Sequence, residues 1–122
     1  MSTDLRVNIN EEADGHLAVV SVSGELDMQT STAVYQQTAA PISEHVTVVL
    51  DLSQVTFCDS SGFNALLRLR RRAQEAGSRL ALAAPPPQVD RLLTLTGAGT
   101  VFPVYRSLAQ ALAHESSRHD ES

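Results

Sequence analysis

Between Val46 and Leu67 the chain reads VTVVLDLSQVTFCDSSGFNALL, and this stretch limits the possible folds more than any other. Val46, Val48, Val49, Leu50 and Leu52 form a nearly unbroken apolar run rich in β-branched residues, as a strand covered on both faces requires. A short second extended piece follows, and then Asp59, Ser60 and Ser61 stand at the mouth of a helical pattern. Their side-chain oxygens suit the unpaired amides of a first helical turn. Gly62 behind them permits close approach of another backbone. A hydroxyl at this point sits in the field of several free N–H groups, where a phosphate is electrostatically tolerated.

The remaining pattern predicts a mixed, mostly parallel sheet of four to five strands, opened by an N-terminal hairpin and packed by about four helices. Leu5–Asn10 alternates apolar and polar residues, Ala13-Asp14-Gly15 supplies a turn, and Leu17 to Val22 reads as a second strand ending at Gly24. Gln29–Ala40 is expected to be a helix stopped by Pro41. Val46–Leu52 is the central strand, and Ser60–Ala76 is a helix closed by Gly77. Leu80 and Leu82 mark a strand ended by Pro85-Pro86-Pro87. Gln88–Leu95 is a short helix before Gly97, Val101–Tyr105 an edge strand because it contains proline, and Leu108–Ala113 a last helix. The expected organisation is one domain over residues 1–113 with a disordered polar tail over 114–122. Strands alternating with helices imply parallel crossovers.

Composition narrows function by exclusion. The chain has 122 residues and a net charge of −5, which disfavours nucleic acid as a partner. All nine basic residues are arginine, so phosphate-loop lysines, Schiff bases and the lysine of a receiver domain are absent. No apolar run reaches the ~20 residues of a membrane span, and the N-terminus lacks a signal pattern, so the expectation is a cytoplasmic protein with no membrane partner. Cys58 is the only cysteine and reads as a small core hydrophobe. His16, His45, His114 and His119 have no metal-ligand spacing, so neither metal nor cofactor is expected. Arg68, Arg70, Arg71 and Arg72 read as a solvated helical face.

The D-S-S-G tetrad after an apolar strand, with Gly24-Glu25-Leu26-Asp27 upstream and Leu93-Thr94-Leu95-Thr96-Gly97 downstream, resembles a STAS domain of the anti-sigma factor antagonist family. The resemblance spans roughly Leu5 to Leu112. One departure is Gly62-Phe63-Asn64 where many relatives carry glycine-leucine-glycine. The resemblance implies that Ser60 is phosphorylated by a partner anti-sigma factor serine kinase, which carries the ATP or ADP, and that a phosphatase resets the switch. It implies a binding role for Asp27 near the phosphoserine.

Each of these residues also has a plainer reading. Ser60 at a helix start is equally a cap, and Asp27 equally a turn residue. Phe63 and Leu67 recur on one helical face beside Ser60 and Asn64. That face either packs on the helix Gln29–Ala40 or forms a docking surface. The expected partner-binding set is Asp27, Asp59, Ser61, Gly62, Phe63, Asn64 and Leu67, on a monomer. The function expected is therefore an anti-sigma factor antagonist whose unphosphorylated form binds the kinase and frees a sigma factor. The alternative is a STAS scaffold not switched at Ser60. A hydrolase using Ser60 is disfavoured because the G-x-S-x-G elbow is missing and no histidine follows in a suitable place.

Overall fold

The structure, a computed structural model, describes residues 5–12 and 15–120. Its elements in chain order are β1 (Arg6–Glu12), β2 (Leu17–Leu26), α1 (Ser31–Glu44), β3 (Thr47–Cys58), α2 (Ser60–Ala76), β4 (Arg79–Ala83), α3 (Pro87–Thr96), β5 (Val104–Tyr105) and α4 (Leu108–Asp120). The five strands form one sheet in the order β1-β2-β3-β4-β5. β1 is antiparallel to β2 and the other neighbours are parallel. The expected mixed α/β fold with a leading hairpin is the one observed. Of the hairpin turn, Ala13 and Asp14 lie outside the described residues, while Gly15 has a left-handed φ of 86°.

Period-two alternation divides the core into two layers, one on each face of the sheet. Ala18, Val20 and Val22 of β2, Val48, Leu50 and Leu52 of β3, and Leu80 and Leu82 of β4 point to one face. There they meet Val34 and Ile42 of α1, Leu66 and Leu69 of α2, and Val89 and Leu93 of α3. Leu17, Val19, Val49, Ala81 and Ala83 point to the other, where Ala111 of α4 covers them. Three crossovers of one hand between successive neighbouring strands keep α1, α2 and α3 together, and α4 alone crosses to the opposite side.

Several boundaries differ from expectation for identifiable reasons. Pro41 does not stop α1: it lies inside the helix, which continues to Glu44. Pro41 and Ile42 are both buried, and this apolar burial outweighs the backbone bond that proline removes. β3 is one strand of 12 residues rather than a strand and a separate piece. Its second half is held by a lengthened β2, through pairs Ser23↔Gln54, Gly24↔Val55 and Leu26↔Cys58 beyond a register shift. β5 is shorter than Val101–Tyr105, because Phe102 turns into the core behind the 3₁₀ turn Ala98–Thr100.

The largest difference is at the C-terminal end, where His114–Asp120 continues α4 rather than forming a polar tail. Glu115 is the cause. Only 1% exposed, its carboxylate accepts a hydrogen bond from Arg79 Nε (2.8 Å) and one from the Tyr105 hydroxyl (2.5 Å). A polar-looking segment thus carries a buried anchor. Burial pushes the Glu115 carboxyl up, but the Arg79 and Tyr105 hydrogen bonds outweigh it and hold the group below the usual carboxylate value.

A second buried ionisable group ties β1 to α1. His45, after the last turn of α1, places Nδ1 2.9 Å from the Pro41 carbonyl and Nε2 2.8 Å from Glu11 Oε2. Burial lowers its pKa, yet two acceptors for two ring nitrogens favour the doubly protonated ring, and the net shift is upward.

These opposite shifts predict a stability curve that falls on both sides. Glu115 stabilises above its unfolded value of about 4.3 and loses that contribution as pH falls through its lower folded value. His45 contributes fully below about pH 6.5 and loses its contribution as pH rises through its higher folded value. Urea midpoints measured across this range should show both limbs, with the alkaline limb flattened in His45→Gln. A second expectation concerns Gly62, where an added Cβ would lie 2.1 Å from the Leu26 carbonyl oxygen and 2.7 Å from its carbon. Both contacts are backbone, so Gly62→Ala should cost about 3 kcal/mol in urea unfolding as α2 is forced off β2.

Candidate functional site

The register of β2 and β3 sets Leu26 opposite Cys58, so Asp27 and Asp59 leave the sheet side by side at the carboxyl end of the parallel strands. Each aspartate then organises the start of the helix that follows it. Asp27 Oδ1 accepts from the amides of Gln29 (2.9 Å) and Thr30 (3.1 Å), and its carbonyl accepts from Ser31 N (2.8 Å). Thr30 Oγ1 closes the loop by donating to the Glu25 carbonyl at 2.7 Å. Asp59, with an extended backbone, is the N-cap of α2 and accepts from Gly62 N at 3.0 Å. Its own N–H donates to the Leu26 carbonyl at 3.2 Å, which joins the two loops.

This arrangement resolves what Ser60 does locally. The cap is Asp59, so Ser60 occupies the first helical position, solvent-exposed, and its hydroxyl has no hydrogen-bond partner among the described residues. The amides of Ser60 and Ser61 have no intrahelical acceptor by position, and the helix dipole adds positive potential there. Ser61 is half-buried and Asn64, one turn beyond Ser60 on the same face, is exposed. Gly62 is buried against Leu26.

Phe63 requires a correction. Its side chain is 4% exposed and belongs to the core between α2 and the sheet, so it cannot itself be a docking side chain. Leu67 is half-buried against the same core, leaving only part of its surface outward. The arginine run is not simply solvated either. Arg68 lies over the Tyr35 ring of α1 at 4.4 Å, and Arg72 Nη2 donates to Ser43 Oγ at 3.1 Å, so these two side chains pack α2 onto α1. Asp27 is committed to its turn through Oδ1, which supports the plainer reading of that residue, and its half-buried position leaves part of the group facing outward.

Sequence reasoning overlooked Met28. It is 74% exposed on the loop between β2 and α1, two residues after Leu26, whose carbonyl lies against Gly62 in the first turn of α2. A lone apolar side chain between Asp27 and Gln29 was the available signal. Gln88 was also overlooked: its Oε1 accepts from Cys58 N at 2.8 Å, fixing the end of β3 from α3. Cys58 offers no chemistry. Burial, reinforced by the negative charge of Asp59, pushes its thiol up to about 11, so it stays protonated. The site is thus a small polar face with Asp27, Asp59, Ser60, Ser61 and Asn64 around an accessible hydroxyl, with exposed Met28 next to Asp27 on the loop that follows β2.

Comparison with known proteins agrees with this geometry. Residues 9–108 match the family model described as Mlab, STAS domain. An anti-sigma F factor antagonist of Paenibacillus polymyxa is 33% identical over 112 residues, covering 87% of this chain and 94% of the relative. The crystal structure of an anti-sigma factor antagonist from Mycobacterium paratuberculosis superposes with a TM-score of 0.80 at 30% identity, covering 91% of this chain and 93% of that one. The anti-sigma factor antagonist SpoIIAA in its unphosphorylated form shares the fold at a TM-score of 0.74 and 19% identity, covering 93% and 96%. The same protein is also known in a phosphorylated form, with a TM-score of 0.70 over 90% and 97%. With its five-stranded mixed sheet, its serine-headed second helix and these relatives, the chain belongs to the STAS-domain family of anti-sigma factor antagonists.

Proposed function

We propose that this protein is a phosphorylation-controlled binding module that sequesters an anti-sigma factor serine kinase and thereby frees a sigma factor. The observation that carries the reading is the Ser60 hydroxyl, exposed at the first position of α2 and relieved of capping by Asp59. A relative 33% identical is named an anti-sigma F factor antagonist, and a protein of the same fold occurs with and without phosphate. The nucleotide belongs to the partner kinase, and a phosphatase returns the module to its binding form. Such a partnership is formed in the cytoplasm. No helix among the described residues is long and apolar enough to cross a membrane.

The switch is electrostatic. In the unmodified state the partner meets a face of Ser60, Asn64 and the outward parts of Ser61 and Leu67, with Met28 as an apolar contact, while Gly62 stays buried against Leu26 and only sets the seat of the helix. Phe63 supports this face from beneath. Phosphorylation adds nearly two negative charges beside Asp27 and Asp59, while the helix N-terminus tolerates them locally. The fold is therefore retained and the cost falls on the complex, through repulsion and desolvation of the new charge.

Incubation with a cognate anti-sigma kinase and ATP, followed by intact-mass measurement, should show addition of one phosphate that is lost in Ser60→Ala. Modification persisting in that variant would move the acceptor to Ser61 or elsewhere. Ser60→Asp should keep the parent's circular dichroism and bind the kinase at least about tenfold more weakly. An Asp variant binding as tightly as the parent would show that charge is not the switch and would favour a scaffold role.

A further inference from the structure

The opposite end of the sheet from Ser60 carries a groove of about 500 Å³. It lies where β2, β3 and β4 begin and where α2 ends, and its lining on α2, from Arg70 to Gly77, is about 15 to 25 Å from Ser60 along the helix at 1.5 Å per residue. A space of this size is in the range that holds small organic ligands. Two features of its lining coincide. Val46 and Val101, two large apolar side chains left 56% and 44% exposed, both face it. Arg70, Arg79 and Arg118 border the same space, with His16 beside them and Glu115 as the lining carboxylate.

Glu115 offsets only one of the three arginines at this edge. Its carboxylate is already held by Arg79 Nε at 2.8 Å and by the Tyr105 hydroxyl, and it is sealed from solvent. That bond orients the Arg79 guanidinium at the groove wall. Arg118 Nε lies 3.8 Å from Glu115, and among the described residues Arg70 donates to the neutral amide of Gln74 at 3.4 Å. Among the described residues the groove lining therefore keeps a positive excess, three arginines against one carboxylate, on a chain whose net charge is −5. Arg79 and Arg118 share the single carboxylate of Glu115, and the same space is bordered by the exposed apolar surface of Val46 and Val101.

We infer that this groove is a second binding site, independent of Ser60, for a small organic carboxylate whose apolar body rests on Val46 and Val101 while its head meets Arg70 and Arg118. The planar guanidinium fork matches a carboxylate, and the valines supply the contact that an inorganic anion cannot use. Binding requires no change of the Ser60 face.

The test is a titration of the full-length ¹⁵N-labelled protein with octanoate, with octanol and inorganic phosphate as parallel probes. Octanoate should shift the amide signals of Arg70, Leu80, Val101 and Arg118 in a saturable way, more tightly than either control and equally in Ser60→Asp. Arg70→Gln combined with Arg118→Gln alters two side chains outside the core. With circular dichroism unchanged, this variant should bind octanoate about tenfold more weakly, as loss of charge-assisted hydrogen bonds requires. Absence of saturation at millimolar octanoate would overturn the proposal. So would octanol binding as tightly as octanoate, phosphate competing equally, or undiminished binding by the double variant.

Discussion

The contact between the end of β2 and the first turn of α2 is the constraint on which the functional face depends. Leu26 offers its carbonyl to Asp59 N, and Gly62 comes so close to that same carbonyl that no side chain fits between them. Asp59 is thereby fixed in an extended conformation with its carboxylate over Gly62 N. Because the aspartate serves as the cap, the next residue is released from structural duty and left facing solvent. The sequence Asp-Ser-Ser-Gly is thus a division of labour: one residue caps, one is presented, one is half-buried, and one makes room.

The same logic explains why the site gathers where it does. Parallel strands bring their carboxyl ends to one edge, and loops leaving that edge converge on helix N-termini. Here Leu26 and Cys58 are register partners, so two aspartates follow them in adjacent positions. The face they create is acidic around a positive helix end. Under the function proposed above, a phosphate on Ser60 would be tolerated by the helix start while adding charge to a surface that already carries Asp27 and Asp59.

Much of this was legible from residue order. The apolar run of β3, the serine-headed α2 and its left-handed terminator Gly77 were marked by local signals that tertiary context left unaltered. Elsewhere long-range burial overrode local signals. Pro41 reads as a stop, yet burial of Pro41 and Ile42 carries α1 past it. His114–Asp120 reads as polar tail, yet Glu115 finds Arg79 36 positions away and extends α4. The i, i+4 spacing of Phe63 and Leu67 showed that they share a side of the helix. It did not show that this side turns partly into the core, which depends on how α2 is rolled against α1 and the sheet. Met28 lay in a polar loop with no periodicity to mark it.

The central claim is that Asp59, and not Ser60, satisfies the start of α2. Urea unfolding of Asp59→Ala and Ser60→Ala, measured side by side, tests it most directly. Loss of the cap should cost Asp59→Ala about 1 kcal/mol, whereas Ser60→Ala should stay within about 0.5 kcal/mol of the parent. An equal or larger loss in Ser60→Ala would mean that the hydroxyl is a structural cap, and the accessible switch described here would be contradicted.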